Sequence, residues 1–187
     1  IAALKGIVSN HTQSPLTVWA GQVGYAVYTP LSYQTTLQEN DSIELFIHTH
    51  VRDDAFELYG FKTIAEKRLF ELLLTVGGIG PKTALPVIDK GTDTILSAIR
   101  SSDISPFLSV PRLGQKNAKK IIIELQSKIG AIEQDTILML TPQDDEVIEA
   151  LLTMGFNRRE IEKVIARIPR DISIEERVKT GLKLLAK

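Results

Sequence analysis

Glycines and a lysine recur in a fixed order in "LLTVGGIGPKTALPVI", Leu73 to Ile88, where Gly78 and Gly80 precede Lys82. The stretch "FLSVPRLGQKNAKKII", Phe107 to Ile122, aligns with it without a gap, so that Gly114 falls on Gly80, Lys116 on Lys82 and Ala118 on Ala84. Each stretch reads as two short helices joined by a glycine-bearing turn. Such a junction leaves the N–H groups of the turn and of the second helix's first turn without helical partners. Those groups form an anion site, which glycine opens to close approach by a phosphate and to which lysine adds charge. Contacts of this kind hold a nucleic-acid backbone and leave the bases unread. A helix C-cap and turn would account for one copy by itself. A second aligned copy with its own lysine favours the anion site.

Other residue types are tested against chemistry in the same way. Asp53 and Asp54 in "RDDA" are adjacent carboxylates between two strand-like runs. They read either as a solvated hairpin tip or as magnesium ligands. Metal-dependent phosphoryl chemistry usually gathers more acidic residues, and no Asp-x-Asp or Glu-x-Lys pattern accompanies the pair. His48 and His50 share one strand face, but no third ligand lies near them in sequence, so surface or interface histidines are expected and no metal. Trp19, Tyr25, Tyr28 and Tyr33 could stack on single-stranded bases. In a small barrel such rings more often serve as core or subunit contacts. The chain has no cysteine, which excludes disulfides and thiolate catalysis, and no Gly-x-x-x-x-Gly-Lys-Ser/Thr loop, so ATP hydrolysis would have to come from another chain. No catalytic residue and no cofactor are expected.

The elements that must position these residues divide the 187-residue chain into regions. Residues 1–62 alternate in the strand manner ("LTVWA", "YAVYT", "IELFIHTH") and predict about five short strands, hence a small OB-like barrel. From Thr63 the period becomes helical, and residues 63–132 predict an all-α region. There Pro86, if the helix begins at Pro81, removes one intrahelical bond and should kink or shorten it. Residues 133–143 read as a linker with an unusually apolar run, "ILML", and residues 144–187 as three short helices with a core too small to be very stable alone. Net charge is only −1. The middle region nevertheless carries 10 basic against 6 acidic groups, while residues 1–62 carry 3 against 6. Positive charge therefore gathers where both glycine turns lie. Apolar runs are far short of a membrane span, so a soluble, cytoplasmic protein without a membrane partner is expected.

With "GQVGYAV" (Gly21 to Val27), "VRDDAFELYGF" (Val51 to Phe61) and "ALLTMGF" (Ala150 to Phe156), the paired units make the chain resemble the RuvA family of bacterial Holliday junction-binding proteins across all three regions in order. The resemblance implies an α+β multidomain protein. Its OB-like barrel would mediate tetramerisation, its central domain would carry two helix-hairpin-helix motifs that grip junction arms, and its three-helix bundle, similar to ubiquitin-associated domains, would bind the hexameric ATPase RuvB. The implied phosphate-gripping positions are Gly78, Gly80 and Lys82 in the first unit and Arg112, Gly114, Lys116 and Lys120 in the second. Asp53 and Asp54 become an acidic pin that repels phosphates at the crossover. The implied partners are four-way junction DNA, RuvB, the junction resolvase RuvC and copies of the chain itself, as a tetramer or an octamer. Met154, Gly155 and Phe156 are the candidate partner-binding residues. Two departures stand out. Arg112 replaces the family's usual glycine, which could withdraw a backbone contact, and Gln115 stands where lysine is frequent. The rival readings are a helix-hairpin-helix nuclease or glycosylase and a general DNA-binding or single-strand-binding protein.

Overall fold

The computed structural model describes residues 1–129, 142–165, 167–169 and 172–186. Five strands, β1 (Ala3–Ser9), β2 (Leu16–Ala20), β3 (Val23–Tyr28), β4 (Ser42–Arg52) and β5 (Ala55–Phe61), close into a barrel in the order β1-β2-β3-β5-β4. Closure uses one parallel pairing, β3 with β5, and antiparallel pairings elsewhere. The alternation read from the sequence is real: Val8, Leu16, Val18, Val27 and Leu45 point inward and are fully buried. A short helix, α1 (Leu31–Gln34), follows Pro30 in the crossover from β3 to β4.

Five helices follow: α2 (Ile64–Leu74), α3 (Pro81–Ile88), α4 (Thr92–Ser101), α5 (Ser105–Leu108) and α6 (Gln115–Leu125). A capping box starts α2, with Thr63 Oγ1 accepting from the Glu66 N–H at 3.1 Å and Glu66 Oε2 accepting from the Thr63 N–H at 3.1 Å. Leu69, Phe70, Leu73, Ile95, Ile99, Phe107, Ile121 and Leu125 form the fully buried centre of this region. Tyr59 and Phe61 of β5 join the same core, their rings 5.2 and 4.9 Å from that of Phe70, so barrel and helices share a seam. Helix α3 runs through Pro86 and stops two residues beyond it, at eight residues against eleven for α6. The proline thus sits inside the helix without ending it there, and it withholds one intrahelical donor.

Three more helices, α7 (Pro142–Thr153), α8 (Arg158–Ile165) and α9 (Ile174–Leu185), enclose a separate core of Val147, Ile148, Leu151, Ile161, Ile165 and Ile168. Asp144 and Arg177, 1% and 2% exposed, make a buried ion pair between α7 and α9. Gly181 lets those helices touch, since a Cβ there would stand 2.8 Å from Leu151 Cδ1. The linker expected over residues 133–143, with its apolar run, lies outside the described residues except for its last two positions, which belong to α7.

Candidate nucleic-acid interface

The two glycine turns are copies in space as well as in sequence. In the first, Val76 N–H donates to Leu73 O at 3.1 Å, Ile79 to Val76 O at 3.0 Å and Ala84 to Gly80 O at 2.9 Å. In the second, the bonds are Val110 to Phe107 O at 3.0 Å, Leu113 to Val110 O at 3.2 Å and Ala118 to Gly114 O at 3.0 Å. Gly78 and Arg112 hold the same position in this pattern, with φ of +90° and +66°. Arg112 thus keeps the turn that glycine makes in the first copy, at the cost of a left-handed backbone that a Cβ disfavours.

Gly80 and Gly114 are the N-caps of α3 and α6, and neither helix start has a side-chain cap. Their backbone angles are ordinary extended ones. A Cβ built on Gly80 or Gly114 meets nothing within 4 Å. No described residue therefore requires glycine at these two positions. Space in front of uncapped helix starts is what an external phosphate would use. Lys82 and Lys116 follow in the first turn of each helix, both exposed.

Lys120 has a further role. Its Nζ donates to Gly77 O at 2.7 Å and lies 3.7 Å from Glu124 Oε1. Lys128 Nζ is 3.4 Å from Thr75 Oγ1. The second unit thus braces the turn of the first, which sequence spacing did not indicate because the partners are 43 and 53 residues apart.

Asp53 and Asp54 form the exposed two-residue tip between β4 and β5. Along one face of this hairpin, Arg52, Glu57 and Tyr59 face Gly80, Lys82 and Thr83 across a cleft of about 230 Å³. The hairpin that bears the acidic tip and the start of α3 after the first glycine turn therefore line one cleft. Arg52 lies 3.8 Å from Glu57, which also accepts from the Tyr59 hydroxyl at 2.9 Å. Burial first, then this bond to Glu57, push the Tyr59 phenol pKa up. Arg52 went unnoticed in the sequence. Its only signal was its place beside the two carboxylates.

The histidines have structural partners. His48 Nδ1 lies 3.4 Å from Glu71 Oε1, and His11 Nδ1 lies 3.2 Å from Glu39 Oε2. Burial raises the Glu71 pKa, but the His48 bond and the charges of Lys67 and Arg68 outweigh it and hold the carboxyl at about 2. No cluster of three potential metal ligands occurs among the described residues. The aromatic residues do not form one platform. Tyr33 is buried, Tyr28 stacks on Tyr59 at 5.3 Å, and Trp19 lies on the outer barrel surface. In the bundle, Met154 is exposed at the turn after α7, Gly155 has φ +91°, and half-buried Phe156 packs on the local core. No described helix is long and apolar enough to cross a membrane.

Comparison with known proteins divides the chain in the same order. Residues 1–60 match the family model of the RuvA N-terminal domain, residues 70–127 the SAM-like helix-hairpin-helix tandem, and residues 143–186 the RuvA C-terminal domain. A protein of Listeria monocytogenes serotype 4a, named Holliday junction branch migration complex subunit RuvA, is 36% identical over 98% of both chains. Relatives of the same name from Pelobacter propionicus and Roseiflexus sp. are each 34% identical, over 99% and 98% of this chain.

Proposed function

The chain belongs to the RuvA family, and from that premise we propose that it binds four-way DNA junctions and serves branch migration as a non-catalytic subunit. The observation that carries this reading is the duplicated turn: two uncapped helix starts with open space before Gly80 and Gly114 and an exposed lysine at the same step of each. Gly78, Gly80 and Lys82 grip one stretch of phosphate backbone, and Arg112, Gly114, Lys116 and Lys120 grip another. Four copies form a flat tetramer, or eight copies two facing tetramers, with the Asp53 and Asp54 tips gathered at the crossover. Clustered carboxylates there repel phosphates and keep the strands apart. The bundle bearing Met154, Gly155 and Phe156 recruits RuvB, whose ATPase supplies the motion, and RuvC later gains access to the held junction. The protein acts in the cytoplasm.

Gel-shift comparison of a four-way junction, a linear duplex and a single strand at matched salt tests the reading. A strong preference for the junction, with a complex sized for four or eight subunits and no cleavage, supports it. Equal binding to all three overturns it. Magnesium-dependent cleavage abolished at Asp53 or Asp54 would instead favour a nuclease.

A further inference from the structure

The hairpin that carries the acidic tip is longer than the barrel it grows from. Cross-strand register pairs Thr49 with Leu58, His50 with Glu57, Val51 with Phe56 and Arg52 with Ala55. Side chains alternate between faces along each strand. Arg52 and Glu57 therefore share the face turned to the first glycine turn, while Val51 and Phe56 share the opposite one. That opposite face is the inner face of the barrel at Leu58, which is 3% exposed. Two residues further on the barrel has ended, and Phe56 and Val51 stand 63% and 66% exposed. A directly opposed phenylalanine and valine, uncovered two steps behind the two carboxylates, form an apolar shoulder on the hairpin.

Resting on the junction-binding reading, we infer that the Val51–Phe56 shoulder receives an unstacked nucleobase at the crossover, with the Phe56 ring as its stacking partner. Two observations select a base as the occupant. The exposed carboxylates of Asp53 and Asp54 keep phosphates from this end of the hairpin, so the part of a DNA strand that can settle there is the uncharged ring. The other face of the same hairpin lines the cleft with Gly80 and Lys82, so the shoulder and the proposed backbone grip are the two opposite faces of one hairpin. Aromatic stacking accepts any base, which suits a crossover whose sequence changes as it moves. Apolar side chains set against base steps are a recurrent means of holding duplex DNA open. The division of labour is then plain: carboxylates hold phosphates off, and the ring holds a freed base so that its pair does not re-form.

The test uses the full chain on a four-way junction with thymines at the crossover, and permanganate to oxidise those that are unstacked and accessible. Wild-type protein should change crossover reactivity relative to free junction. Phe56→Gln should return it towards the free value by roughly fivefold, the lower end of what losing one base–aromatic stack removes. Phe56→Tyr should behave as wild type. Light scattering and junction and duplex affinities are measured alongside. Reactivity equal in wild type and Phe56→Gln, with junction preference intact, overturns the shoulder and leaves the junction reading standing. A fall in oligomer mass on Phe56→Gln makes the pair a contact between copies and also overturns it. Absence of junction preference in the wild type removes both readings.

Discussion

Arg112 is where the second unit departs from the first, and its backbone makes the departure measurable. It sits at φ +66° where Gly78 sits at +90°. Arg112→Gly should relieve left-handed strain of about 1–2 kcal/mol, offset by about 0.5–1 kcal/mol of added chain entropy in the unfolded state. A small rise in thermal midpoint is the expected net outcome, checked by calorimetry. The same change removes a cation, so if Arg112 neutralises a phosphate, the slope of log affinity against log salt should shrink by about one. Lysines can be sorted by the same two measurements. Lys82→Ala and Lys116→Ala should each weaken junction binding and reduce the slope by about one, leaving stability nearly unchanged. Lys120→Ala should do both and also lower stability by about 1 kcal/mol, because it breaks the 2.7 Å bond to Gly77 O. A Lys120 variant with unaltered stability would remove the brace from the account.

At the scale of elements, the seam between β4 and α2 depends on Glu71, which faces His48, Lys67 and Arg68. Its carboxyl titrates near 2 in the folded state against an ordinary 4.5. The sign follows from linkage: a depressed folded value means the stabilisation is complete above about pH 4.5 and is lost as pH falls towards 2. Acid unfolding should therefore steepen across that window, and Glu71→Gln should flatten it. In the bundle, Asp144→Asn removes the charge of one member of the buried Asp144–Arg177 pair. A cost of roughly 3–5 kcal/mol is expected, enough to unfold so small a core, with hydrogen exchange rising in α7 to α9. Local pattern made much of this scale legible. Strand alternation marked the barrel, and the change to helical period at Thr63 coincided with the N-cap of α2. What pattern did not carry was anything requiring distant partners. Helix α1 is only four residues long and too short to show a period, and the Asp144–Arg177 pair spans 33 residues. The glycine turns were legible because their meaning is local. Their bracing by Lys120 and Lys128 was not, because it is tertiary.

For the whole molecule, the proposed assembly places several copies of Asp53 and Asp54 around one crossover. Asp53→Asn with Asp54→Asn should leave the fold and the duplex affinity unchanged, because both side chains are exposed at a turn. It should alter the geometry of the bound junction, read by fluorescence transfer between labelled arms, towards less separated strands. Unchanged transfer would mean that the arms are set apart by the grips alone. The bonds from Lys120 to Gly77 O and from Lys128 to Thr75 tie the second proposed grip to the turn of the first. That tie sets the distance between them, like the jaws of a calliper held to one width. If both turns hold phosphates, an arm that spans them meets one set spacing, and B-form and A-form grooves, which differ in width and depth, would present their phosphates to it differently.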